Sequence, residues 1–168
     1  MFSRTAIWVV LVTLFASSPL SAQGILTLSS SFEGEVSDAV QERFNEALHQ
    51  GLTETTGLDA MTGSETEGAL GDEADRLLNC TEDSCLSEAQ AITGAHAAIQ
   101  FHAMEAGDIY TFELRIYQLN PPEALTPIES DCALCTVDEA LETATREGLE
   151  GAPFLLPDGA QGDVSVVV

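Results

Sequence analysis

Four cysteines are the residues of this chain best equipped for chemistry, and they form two tight pairs, Cys80 with Cys85 (C-x4-C) and Cys132 with Cys135 (C-x2-C). A C-x2-C pair between a strand and a helix is where a thiol oxidoreductase presents its reactive sulfur, because a helix amino terminus favours a thiolate. Here the surrounding pattern lacks the βαβ setting of that motif, and Asp131 beside Cys132 opposes thiolate formation. All four sulfurs together would suit a tetrahedral zinc ion, but a whole hairpin separates the pairs and the first loop carries Glu82 and Asp83. In an oxidising compartment the even count and short spacing argue instead for two local disulfides, Cys80–Cys85 and Cys132–Cys135. Cysteines three apart inside a regular helix hold their Cβ atoms about 5–6 Å apart, too far for a relaxed bridge, so Cys132 must precede the helix that follows it.

Other candidate chemistry is thin. His96 and His102 are six residues apart on one strand, about 20 Å along an extended chain, and read as surface histidines, not as two ligands of one ion. No GxSxG, HExxH or glycine-rich dinucleotide turn occurs, and a P-loop is impossible without lysine, which the sequence lacks. Asn79-Cys80-Thr81 matches a glycosylation acceptor, of consequence only where the host modifies exported asparagines. The carboxylates are too many for an acid/base pair to stand out, so no catalytic residue and no cofactor are assigned.

The compartment follows from the first 22 residues. Arg4 precedes an apolar run containing AIWVVLVTLFA, and SSPLSA then brings small residues to Gln23, the pattern of a secretory signal peptide with cleavage after Ala22. That run is short of the roughly 20 residues a membrane span needs, and no second one follows. No cysteine sits at the cleavage point, so a lipid anchor there is not indicated, and a periplasmic or secreted product is expected. Removing this segment leaves Arg43, Arg76, Arg115 and Arg146 against 28 acids. Such a field repels phosphate backbones, which argues against nucleic acid as a partner. The acids, spread over every segment, read as a solubilising coat; a cationic partner or a calcium surface is the functional alternative, although no motif supports calcium.

Around the cysteines the periodicities place the elements. Ile25, Leu26 and Leu28 mark a short first strand. Ser30 with Glu33 has capping-box spacing ahead of Val36, Val40, Phe44, Leu48 and Leu52, which predicts a helix over residues 33–52. Leu58 and Met61 suggest a weak edge strand. Ser64 with Glu67 repeats the box before a second helix to Asn79, weakened by Gly68 and Gly71. Asp83 or Ser84 caps the short helix LSEAQAIT, which stops at Gly94. Period two then takes over: Ala97, Ile99, Phe101 and Ala103 alternate with polar residues, a glycine loop intervenes, and Tyr110, Phe112, Leu114 and Ile116 alternate in turn, an antiparallel hairpin. A third strand near residues 125–129 is interrupted by Pro127. Thr136 with Glu139 caps a last helix whose inner face is Val137, Ala140, Leu141, Ala144 and Leu149. The class expected is α/β, a mixed sheet with a central antiparallel hairpin and helices packed on one face.

The order helix, C-x4-C, short helix ending in TGAHAAIQFHA, GDIYTFELRIYQL, then CALCTVDEAL resembles secreted bacterial envelope proteins whose amino-terminal domain is similar to that of TolB and to the CsgG-type domain. The resemblance covers residues 25–150 and implies a domain over 23–150, with relatives that carry cysteines at these paired positions. It implies further that 151–168, ending in GDVSVVV, is a linker and the first strand of a PEGA-type domain. Members of that group act by binding envelope partners, which implies a non-catalytic extracytoplasmic binding or scaffold module with an unidentified envelope protein as partner. The competing reading is a thiol-redox or metal-handling secreted protein using the two cysteine pairs.

Overall fold

The structure, a computed structural model, describes residues 24–56 and 59–155. The signal-peptide segment and the strand-like tail lie outside these residues. At the centre is the hairpin of β4 (Ala97–Ala106) and β5 (Ile109–Leu119), paired from Ala97↔Gln118 to Ala106↔Ile109. Its two-residue turn needs a positive φ at the first position, which Gly107 supplies at 67°. On the β4 side lie β1 (Gly24–Thr27) and β2 (Ser31–Glu33), both parallel to β4, with β3 (Asp59–Ala60) parallel to β1 outside them. On the β5 side lie β6 (Pro122–Ala124) and β7 (Ile128–Ala133), both antiparallel to β5. The result is a seven-stranded mixed sheet around the hairpin, as the α/β pattern predicts.

Alternation along the hairpin decides which side each element covers. Ile99, Phe101, Phe112, Leu114 and Ile116 face α1 (Asp38–Thr56) and α5 (Val137–Gly151), forming the larger core with Phe44, Leu48 and Leu52. Its centre is aromatic: the Phe44 and Phe112 rings are 5.3 Å apart and Phe101 stacks on Phe112 at 5.9 Å. This is the single helical face expected from sequence. The structure adds a smaller layer opposite, where α2 (Gly63–Leu70), α3 (Ala74–Leu77) and α4 (Asp83–Thr93) cover Leu26, Leu28, Ala98, Tyr117 and Leu119. Each fully buried leucine or phenylalanine contributes about 1.5–3 kcal/mol, so both layers matter to the fold.

Local expectations hold best where two signals coincide. Thr136 caps α5, its hydroxyl accepting from the Glu139 amide while the Glu139 side chain accepts from the Thr136 amide. Gly94 ends α4 in the left-handed conformation, φ 72°. Elsewhere the structure corrects the reading. The first helix begins at Asp38 and not near Glu33, because Ser31–Glu33 is recruited as β2 against His102–Met104. The box ahead of the second helix is Thr62 with Glu65, two residues earlier than predicted. That helix does not run unbroken to Asn79, since Gly71 turns to φ 59° and a 3-10 turn over Gly71–Glu73 divides α2 from α3. Neither Asp83 nor Ser84 caps α4; Asp83 stands in its first turn, where its charge meets the positive helix end. Leu149 is 41% exposed, and the buried stripe of α5 is Ala140, Thr143, Ala144, Glu147, Gly148 and Gly151.

Candidate functional site

Cys80 and Cys85 are joined by a disulfide, Cα atoms 5.9 Å apart, tying the end of α3 to the first turn of α4. Cys132 at the end of β7 is joined to Cys135 just ahead of α5, Cα atoms 5.8 Å apart. The first pair packs in the smaller core and the second against the larger one, on opposite sides of the sheet. The four sulfurs do not converge, and among the described residues no group of three or more His, Cys, Asp or Glu could hold a metal ion.

His96 and His102 serve the scaffold. His96 is not a free surface group: its Nε2 donates to the Leu155 carbonyl at 2.5 Å, fastening the end of the helical layer to the start of β4. His102 Nδ1 pairs with Ser31 Oγ at 2.7 Å, linking β4 to β2. Asn79 is exposed, and its side-chain amide donates to the Asp75 carbonyl at 3.0 Å.

A groove of about 800 Å³ opens between α1 and the amino-terminal end of α2, over the break between β1 and β2. Its position follows from the brevity of β3, which covers only Gly24 and Ile25 of β1. Beyond that point the edge of β1 is closed by side chains, with the Thr27 amide donating to Thr66 Oγ1 and Thr27 Oγ1 donating to the Met61 carbonyl. Phe32 and Leu78, partly exposed, give the groove an apolar lining over the buried Leu28, Leu48 and Ile99. Asp38, Glu42 and Glu46, four apart on α1, form one exposed wall and Glu67 of α2 faces the space as well. Asn45 Oδ1, also in the lining residues, is buried and has no hydrogen-bond partner. Sequence periodicity marked the inner stripe of α1 but carried no signal for this concavity, which needs the placement of α2.

Two further features lie near the second disulfide. Leu134, inside the Cys132–Cys135 loop, is 82% exposed and adopts φ 59°, a conformation that costs a leucine about 1–2 kcal/mol. Its amide donates to the Asp108 carbonyl at 2.6 Å, which with the bridge holds it there. Glu147 of α5 is 1% exposed, with neither carboxyl oxygen hydrogen-bonded, and the Ser130 hydroxyl is likewise buried without a partner. Burial pushes the Glu147 pKa up to about 8. The nearby Ser130 hydroxyl, outside hydrogen-bonding geometry, and Arg146 oppose the rise, while Glu150 and Glu113 add to it. A perturbed carboxyl often marks an active site. Glu147 does not line the groove between α1 and α2, and its burial bears on stability.

No family model matches the chain, and no curated protein matches it in sequence. Among solved structures the likeness is one of fold. The lipoprotein GNA1162 from Neisseria meningitidis matches at TM-score 0.53 and 12% identity, over 77% of this chain and 98% of that one. PelC from Paraburkholderia phytofirmans, solved as a dodecamer, matches at TM-score 0.51 and 8% identity, over 79% of this chain and 88% of that one. TolB from Acinetobacter baumannii stands at TM-score 0.48 and 10% identity, over 84% of this chain and 30% of that one, too low to speak for the fold.

Proposed function

We propose that this chain is a non-catalytic extracytoplasmic binding module of the bacterial cell envelope, related to the TolB-amino-terminal and CsgG-type domains. The observation that carries the reading is the bridging of all four cysteines on opposite sides of the sheet. The residues with the most chemical potential are spent as local staples, while the 800 Å³ groove is lined by apolar groups and acids together with hydroxyls and His49. The signal-peptide pattern supports export, and the fold shared with a lipoprotein supports the envelope.

Two measurements test this. Thiol titration of the purified exported chain, denatured without reductant, is expected to find no reactive thiol. Two reactive thiols at Cys132 and Cys135 would favour the redox reading. Affinity capture from envelope extract with the full chain is expected to retain a discrete protein partner, and its failure under crosslinking conditions would remove the module reading.

A further inference from the structure

We propose that the groove between α1 and α2 receives a segment of a partner protein presenting apolar side chains flanked by lysine or arginine. This rests on the reading of the chain as a binding module and adds the chemistry of what is bound. Two observations converge on it. Phe32 and Leu78, partly exposed in the groove over the buried Leu28, Leu48 and Ile99, gain from an apolar side chain that displaces water.

No arginine or lysine answers the acidic wall, and His49 is the basic side chain among the groove's lining residues. Arg43 pairs with Asp138, Arg76 with Glu73 and Glu88, Arg115 with Glu113, and Arg146 with Glu150. Every arginine among the described residues is therefore engaged away from Asp38, Glu42, Glu46 and Glu67, and the sequence has no lysine. Like charges four apart on a helix repel, and a cation laid along them relieves that repulsion. Asn45 also lines the groove, but its Oδ1 is buried and is not part of the surface a ligand meets.

Other occupants match less well. Residues 156–168 bring Asp158 and Asp163 and no cation, and a second copy brings the same acidic field. A bare divalent ion would answer the acids but leave the apolar lining wet.

The test uses the full chain and a labelled synthetic peptide of leucine and lysine, with serine-for-leucine and glutamate-for-lysine versions as controls. Binding is expected for the first peptide, weaker for the serine version and absent for the glutamate version. Glu42→Gln/Glu46→Gln/Glu67→Gln is expected to weaken binding about tenfold, the loss of three exposed ion pairs. Glu123→Gln/Glu129→Gln/Asp131→Asn, exposed on β6 and β7, removes the same charge elsewhere and is expected to cost less than about threefold. Equal losses in the two variants, equal binding of the serine peptide, or no binding at all would overturn the proposal. So would a gain in peptide affinity on deleting residues 156–168, which would give the groove to the tail. Repeating the capture experiment separates the two claims: a partner kept by the groove variant defeats the groove and leaves the module reading, whereas a wild type that captures nothing brings down both.

Discussion

Glu147 turns a buried carboxyl into a pH-dependent load on the fold. The folded chain holds its proton to about pH 8, against 4.5 for the ordinary carboxyl of an unfolded chain. Between those values the unfolded state binds fewer protons than the folded one, so stability falls as pH rises, by up to about 1.4 kcal/mol per pH unit. The contribution is complete below about pH 4.5 and gone above about pH 8, a total of about 5 kcal/mol. Against the 5–15 kcal/mol typical of a domain this is a large share. Glu147→Gln abolishes the titration while keeping shape. Near pH 5 an unpartnered amide replaces an unpartnered protonated carboxyl, and the two proteins should be about equally stable. At pH 9 the variant should be more stable by about 5 kcal/mol. Urea unfolding followed by circular dichroism at pH 5 to 9 measures this, because the remaining carboxylates are common to both proteins and cancel in the difference. A difference that stays flat across that range would refute the reasoning, since it would mean the Glu147 carboxylate reaches water in the folded chain.

Four further outcomes follow from named contacts. Gly148→Ala should destabilise by about 2 kcal/mol or more in the same assay, because an added Cβ would stand 2.7 Å from the Leu48 carbonyl where α5 crosses α1. Thr136→Ala should cost about 1 kcal/mol and fray the start of α5, visible as faster amide exchange at Glu139. Leu134→Gly should stabilise by up to about 1 kcal/mol, since glycine adopts φ 59° freely; a loss of stability would mean the leucine packs inward. Replacing both cysteines of either bridge by serine should lower unfolding free energy by about 2 kcal/mol in the chain-entropy account, the small effect of a short loop.

What was legible in the sequence is what local geometry alone determines. The hairpin was, because Ile99, Phe101, Phe112 and Leu114 alternate in two runs around Gly107, and the start of α5 was, because Thr136 and Glu139 meet at capping distance ahead of an amphipathic stretch. The start of α1 was not. Ser30 and Glu33 have the same spacing as a cap, but Ser31–Glu33 gains a parallel neighbour in His102–Met104, a partner about seventy residues away that no local pattern announces. In the stretch from Thr62 to Glu67 two capping boxes overlap in sequence, and only the one that lets Thr66 reach the Thr27 amide is formed. Glu147 was missed because charge reads as surface. Its signal was positional: it falls three residues after Ala144 and one before Gly148, on the stripe of small residues that lets α5 press against α1. The groove was invisible for a different reason, as it exists only between α1 and α2.

The cysteine partners stand five and three positions apart, while Cys85 and Cys132 are separated by the entire central ribbon. In a still fluctuating unfolded chain, nearby thiols meet far more often than distant ones, because ring formation grows less favourable with length. Correct pairing is thus the kinetically preferred outcome from the start. Maturation of this protein calls for an oxidant but little reshuffling of mispaired sulfurs.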